Sequence, residues 1–342
     1  MLDLFPSREA GPFGRRQKRA RGARLPVTVV TGFLGAGKTT LVRHFLTTPH
    51  GRGTAVVINE YGAAGIDDVL VRGTADEVAL IGNGCVCCTT RSDLEVALRR
   101  LVAERERGQV PPFERVVIET SGLADPAPIL QTFATDRALG GEFFLEVVVA
   151  VVDAVGGLRT LEESVEARKQ VILADRLVVT KTDLAGAAAL EPLAARLRAL
   201  NPHAPIVTAV DGVLDPHCLT EAVSGERRQQ GFVAEAEHSD GIASFVLTEE
   251  QPVVFDAFAG AMETLIALRG PDLLRVKGFL NVAGCRGPVL VQCVQHLTHP
   301  PVELAAWPDA DRTSRLVFIT RNIAERQVRE LFQAVRALSP QR

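Results

Sequence analysis

Four short runs in this chain carry residues whose types and spacing can do chemistry. The first is Gly32-Phe33-Leu34-Gly35-Ala36-Gly37-Lys38-Thr39-Thr40, which follows the apolar run Val27 to Thr31 and precedes an amphipathic segment. It meets the GxxxxGK[ST] pattern in the strand, turn and helix setting that this phosphate-binding loop, the P-loop, needs. Gly32, Gly35 and Gly37 let backbone N–H groups approach phosphate oxygens where a Cβ would obstruct them, and Ala36 and Thr40 belong to the same cradle. Lys38 supplies a point charge for the β- and γ-phosphates and Thr39 a hydroxyl for magnesium. The helix that follows turns its positive N-terminus toward the anion.

The second run is Val178-Val179-Thr180-Lys181-Thr182-Asp183. A strand ending in [NT]KxD reads guanine. Asp183 can accept hydrogen bonds from the base N1 and N2 groups together, a pair adenine does not offer, and the stem of Lys181 can lie along the ring. Thr180 stands where asparagine is commoner, so one polar contact is expected to be weaker. The third run, Glu119-Thr120-Ser121-Gly122, also follows an apolar strand pattern. Glu119 is expected to hold magnesium through water and the Gly122 amide to register the γ-phosphate, so Lys38, Glu119 and Gly122 form the expected catalytic set. An ATP-using P-loop enzyme is the alternative if the TKxD run is a surface turn.

The fourth run is Cys85-Val86-Cys87-Cys88. Thiolates bind zinc and other soft or borderline cations. In an extended backbone Cys85 and Cys87 point one way and Cys88 the other. Three sulfurs on one ion therefore need a turn, whereas two sulfurs and an oxygen do not, and Glu60 is the candidate oxygen. A redox role for the clustered thiols stays open. His296 and His299 could bind metal, but an exposed pair at a strand end is the plainer account. Cys218, Cys285 and Cys293 are isolated and read as structural.

These runs need elements to position them. Apolar strand patterns at 27–31, 55–58, 78–81, 115–118, 145–152, 176–179 and 205–208 alternate with helical spacing such as Leu41, Val42, Phe45, Leu46 and Leu94, Ala97, Leu98, Leu101. That alternation predicts an α/β fold, a parallel sheet with helices on both faces, with ligands beyond the carboxyl ends of the strands. The stretch opening at Gly65 suits a mobile loop. Residues 1–24, with Arg15, Arg16, Lys18, Arg19, Arg21 and Arg24, read as a disordered basic tail. The P-loop domain is expected over 25–221 and a polar linker over 222–240. A smaller α+β domain follows over 241–338, with strands at 242–247, 273–282, 289–296 and 314–319 and helices at 254–268 and 324–338.

At 342 residues the chain suits two domains. Hydrophobic residues at 46% and charged residues at 23% fit a globular protein with a sizeable core, and a net charge of −3 gives no general pull toward nucleic acid or an anionic membrane. The absence of an apolar span or signal segment makes the cytoplasm the expected location. Six cysteines, half of them in one cluster, fit a metal or redox site better than a disulfide framework.

With these residues on the page, the chain resembles the CobW-type P-loop GTPases, metal-linked proteins of the signal-recognition, MinD and BioD-like class. The resemblance runs from about Pro26 to Val335. It rests on the P-loop, Asn59-Glu60-Tyr61-Gly62, Gly84-Cys85-Val86-Cys87-Cys88-Thr89, Glu119 to Pro126, Ala174-Asp175 leading to Thr180-Lys181-Thr182-Asp183, Leu274 to Gly278, and Ser314 to Ile319. It implies a low-turnover GTPase that uses GTP and magnesium and carries a transition metal, zinc first and cobalt second, to a client metalloprotein. Glu60, Cys85, Cys87 and Cys88 would hold the ion, the C-terminal domain would serve partner contact, and relatives often pair as homodimers across the nucleotide face. Two departures stand out: Ala63 occupies a position where many members carry glutamate, and no histidine-rich loop is present. The rival reading is a GTP-dependent regulatory or assembly factor with structural or redox-active cysteines.

Overall fold

The alternating apolar runs of the first two-thirds of the chain become strands and helices in regular succession. The structure, a computed structural model, describes residues 24–59, 69–72, 78–81, 91–220, 242–304, 307 and 310–338. The chain divides into one unit within Leu25–Val223 and another within Ser224–Arg342, with Arg24 grouped with the second.

In the first unit β1 (Leu25–Gly32) leads to α1 (Lys38–Thr47), β2 (Thr54–Asn59), β3 (Val69–Arg72), β4 (Val78–Ile81) and α2 (Arg91–Glu106). Then come β5 (Arg115–Thr120), α3 (Ala127–Thr135), α4 (Arg137–Glu142), β6 (Phe143–Asp153), α5 (Gly157–Glu163) and α6 (Val165–Ile172). The unit closes with β7 (Arg176–Thr180), α7 (Ala187–Leu200), β8 (Ile206–Ala209) and α8 (His217–Thr220). Among the described residues the strands order β4-β3-β2-β5-β1-β6-β7-β8. β2, β5, β1, β6, β7 and β8 run parallel.

Parallel pairing brings the ends of β1, β5, β6 and β7 to one edge, and the register fixes who stands beside whom: Glu119 pairs with Val30, Gly32 with Val151, and Asp153 with Thr180. The strands are apolar on both faces because both are covered. Val30, Val56, Val117, Val149 and Val178 pack with Leu41, Val42 and Phe45 of α1. Their neighbours Val29, Ile118, Val148 and Leu177 are equally buried.

The expected loop after Gly65 departs from this structure at β3. Val69–Arg72 pairs antiparallel with β2, and β4 antiparallel with β3. Four residues are too few for alternation to separate a strand from a loop, and hairpin pairing at a sheet edge supplies the missing order.

The second unit contains β9 (Ile242–Glu249), α9 (Phe255–Arg269), β10 (Leu273–Leu280), β11 (Val289–Val294), β12 (Leu297–Thr298), β13 (Val302–Glu303), β14 (Ser314–Arg321) and α10 (Glu325–Leu338). Its antiparallel sheet runs β12-β11-β10-β14-β9, with β13 beside β11. One face packs Phe245, Val276, Val291, Leu316 and Phe318 against Phe258 and Met262 of α9 and Val328 of α10. The alternate residues of β10 and β11 include Arg275, Lys277 and Gln292, which are buried and polar. No described helix is long and apolar enough to cross a membrane.

Candidate functional site

The loop between β1 and α1 turns because its glycines take backbone conformations other residues resist: φ is +142° at Gly32, +71° at Gly35 and +94° at Gly37. A Cβ at Gly32 would run into the carbonyl oxygen of Val151 on β6, so the loop sits hard against the sheet. Gly37 caps α1 with no side-chain bond, leaving the first N–H groups of the helix for another acceptor. Lys38 is buried, and its Nζ donates to the carbonyls of Gly32 at 2.8 Å and Phe33 at 3.1 Å. The ammonium is therefore held inside the curve of the loop. Ala36 is buried, whereas Gly35 and Thr40 are exposed.

Glu119 stands next to last in β5, buried, and accepts a hydrogen bond from Thr39 Oγ1 at 2.5 Å. The two oxygens expected to serve magnesium thus meet at the start of α1. Thr120 Oγ1 donates to Thr31 Oγ1 at 2.9 Å, which ties β5 to β1 just behind them. Gly122 is where the next loop touches the P-loop, since a Cβ there would lie 2.6 Å from the Leu34 nitrogen. Only glycine allows the two backbones to come so close.

Thr180 takes part in the site through the P-loop. Its hydroxyl is buried and donates to the Ala36 carbonyl at 2.7 Å. A residue at the end of β7, the strand expected to read the base, therefore fastens the loop between β1 and α1. Lys181 lies in the left-handed region with φ of +56°, a conformation that costs a non-glycine residue of order 1–3 kcal/mol. Its Nζ pairs with Asp153 Oδ2 at 2.7 Å. Asp153 Oδ1 also accepts from the Val155 amide at 2.7 Å and the Gly156 amide at 3.3 Å. Burial alone would raise this carboxyl's pKa, but the Lys181 hydrogen bond, the two amides and the lysine charge together bring it below the usual range. Asp183 is exposed at the mouth of the turn. Asp153 escaped the sequence reading, although a carboxylate closing a long apolar strand was a usable signal.

Glu60, Cys85, Cys87 and Cys88 lie outside the described residues. Their flanks are placed: β2 ends at Asn59, β4 at Ile81, and α2 begins at Arg91. Among the described residues no group of three or more His, Cys, Asp or Glu side chains could hold a metal ion. The expected exposed histidine pair is corrected: His296 is exposed, but His299 is buried. Burial first, and then the charges of Arg275, Arg24 and Lys277, push the His299 pKa down to about 3. A strand-end position suggests exposure, and the observed burial of His299 overrules it. Burial pushes Cys285 up to about 11 and Cys293 up to about 12, so both stay thiols at neutral pH, as structural cysteines do.

Residues 26–208 match the family described as CobW/HypB/UreG, nucleotide-binding domain, and residues 242–336 match the Cobalamin synthesis protein cobW C-terminal domain. The chain belongs to the CobW family of P-loop GTPases. The CobW-family zinc chaperone YjiA of Escherichia coli is 37% identical to it over 320 residues, covering 91% of this chain and 99% of that protein. The zinc chaperone CobW of Pseudomonas aeruginosa is 32% identical over 340 residues, covering 88% of each. The crystal structure of Zn(II)-bound YjiA GTPase from E. coli superimposes with a TM-score of 0.65 at 35% identity, covering 91% of this chain and 99% of that one. The CobW fold accounts for both units, the GTPase sheet and the antiparallel C-terminal domain.

Proposed function

We propose that this GTPase is a metallochaperone that holds zinc at Cys85, Cys87, Cys88 and Glu60 and hands it to a client metalloprotein as GTP is hydrolysed. The observation that carries the reading is the junction of Thr39 with Glu119 at 2.5 Å, a phosphate-side centre built on β5, whose neighbour β2 ends one residue before Glu60. A change at the γ-phosphate is thereby one strand away from a candidate metal ligand. The zinc chaperones named above support the choice of ion, and thiolate ligands suit it. Cobalt is the second choice.

Thr39 and Glu119 would hold magnesium, which neutralises the charge between the β- and γ-phosphates. Lys38 steadies the same oxygens, Gly122 offers its amide to the γ-phosphate, and Asp183 selects guanine with Lys181 held beside it by Asp153. GTP would bring Glu60 together with Cys85, Cys87 and Cys88, and loss of the γ-phosphate would let the metal leave. Leu34, Leu123, Val155 and Leu184 are all more than half exposed around the nucleotide edge. They support pairing of two copies across that face.

Zinc competition titrations should show tighter binding with a non-hydrolysable GTP analogue than with GDP, and the difference should vanish when all three clustered cysteines are changed to serine. Equal affinities in the two nucleotide states would sink the coupling. Sedimentation of the same samples should show the dimer favoured by the GTP analogue. A monomer in both states would remove the pairing.

A further inference from the structure

The loop that follows Glu119 is gripped by a helix that none of the nucleotide motifs includes. Gln170 on α6 is 1% exposed, and its Nε2 donates to the carbonyls of Gly122 at 3.1 Å and Ala124 at 3.0 Å. Two carbonyls facing one end of the amide identify that end as the NH₂ group. The preceding residue, Lys169, places its Nζ 2.8 Å from Asp125 Oδ2, and Asp125 Oδ1 accepts from the Ala127 amide at 2.9 Å. Consecutive residues of one helix therefore hold Gly122, Ala124 and Asp125. From the other side Gly122 rests on the P-loop at Leu34.

The helix is a firm base for this grip. Ser164 caps its start by accepting from the Ala167 amide at 3.1 Å. Asn201 closes its end, with Nδ2 donating to the carbonyls of Val171 at 2.9 Å, Ile172 at 3.2 Å and Ala174 at 2.9 Å. Beyond Asp175 the chain enters β7, whose last residue, Thr180, fastens the P-loop. One continuous segment thus touches both loops expected to contact phosphate.

The other end of the Gln170 amide makes the case sharper. Its Oε1 is buried without a hydrogen-bond partner, and Gln170 borders a cavity of about 40 Å³ with Phe33, Leu34 and Asp153. A methionine would fill the same length without an unsatisfied oxygen, so packing does not explain a glutamine here. Its donor end does.

We propose that Gln170, assisted by Lys169, is a positioning residue for GTP hydrolysis. It sets where the Gly122 amide stands over the P-loop, and so how strongly the site separates GTP from GDP. The proposal rests on Glu119 to Gly122 being the γ-phosphate side of the site.

The test compares Gln170→Met, Lys169→Met and Glu119→Gln with the wild type in full-length protein, reading kcat and the affinities for GDP and a non-hydrolysable GTP analogue. Gln170→Met should lower kcat about tenfold and the analogue-to-GDP affinity ratio about fivefold, with GDP affinity unchanged. Lys169→Met, on a more exposed side chain, should move both in the same direction by about twofold. Should Gln170→Met fail to fold, Lys169→Met decides by the same readouts. Wild-type kcat and ratio in the folded variants would overturn the proposal. So would a loss of GDP affinity equal to the loss for the analogue, which marks a merely structural role. Glu119→Gln separates the two levels: if it hydrolyses GTP normally, the site reading itself is wrong, whereas if it is impaired while the α6 variants are not, only the positioning role falls.

Discussion

Thr180 and Gln170 contact the two phosphate-side loops by different chemistry, and the difference is testable one residue at a time. Thr180 offers one hydroxyl to the Ala36 carbonyl, a bond the P-loop needs whichever nucleotide is present. Thr180→Val keeps the shape and leaves that carbonyl without its donor, at a cost of about 1–3 kcal/mol. GTP and GDP affinities should then both fall about tenfold, with their ratio preserved, in titrations with a fluorescent nucleotide. A change confined to GTP would contradict the tether, because only the loop after β5, proposed to sense the γ-phosphate, would distinguish the two. Asp153 adds the complementary detail on the base side. It pairs with Lys181, whose backbone holds a left-handed conformation costly for a non-glycine residue, in the turn expected to read guanine.

At the scale of elements, α6 and α7 matter more than their lack of recognisable motifs suggests. Asn201, at the end of α7, donates to three carbonyls at the end of α6 and is almost fully buried. Asn201→Ala should lower stability by about 2–3 kcal/mol, read as a reduced denaturation midpoint of the GDP-bound protein. An unchanged midpoint would show that α6 holds its end without the amide. Such contacts also mark where sequence reasoning stops. The P-loop, the TKxD run and the strand ends were legible because their spacing is local and their residue types are rare in combination. The antiparallel domain was legible through the apolar runs at 273–282 and 289–296, which the structure pairs as the β10–β11 hairpin. Gln170 and Asn201 were not legible, since an amide that bonds carbonyls 46 to 48 residues away, or 27 to 30, has no local signature. β3 was missed for want of length. His299 was misjudged because burial of a sheet's polar side is decided by what covers it.

At the scale of the whole molecule, each unit carries its own core, and the two should answer acid differently. His299 is buried with Arg275, Arg24 and Lys277 around it, and its pKa is near 3 in the fold against 6.5 in an unfolded chain. Between those values the unfolded chain binds the proton and the folded one does not. The neutral histidine's contribution is therefore complete above pH 6.5 and is lost progressively as pH falls toward 3. From pH 7 to pH 5 the loss is about 2 kcal/mol, a figure that needs only a folded pKa below 5. Asp153 does not share this window, because its depressed pKa confines its effect to more acidic solution, below the ordinary carboxylate value of 3.8. The chain's single tryptophan, Trp307, belongs to the second unit and reports on it directly. Tryptophan fluorescence should give a denaturation midpoint that drops between pH 7 and pH 5 in the wild type and stays nearly level in His299→Gln. Saturating GDP should protect the first unit by mass action, so a fall in the fluorescence midpoint that persists with GDP assigns the acid sensitivity to the C-terminal domain. A wild-type midpoint that is flat over this range would mean that His299 takes up its proton inside the fold despite the three cations around it.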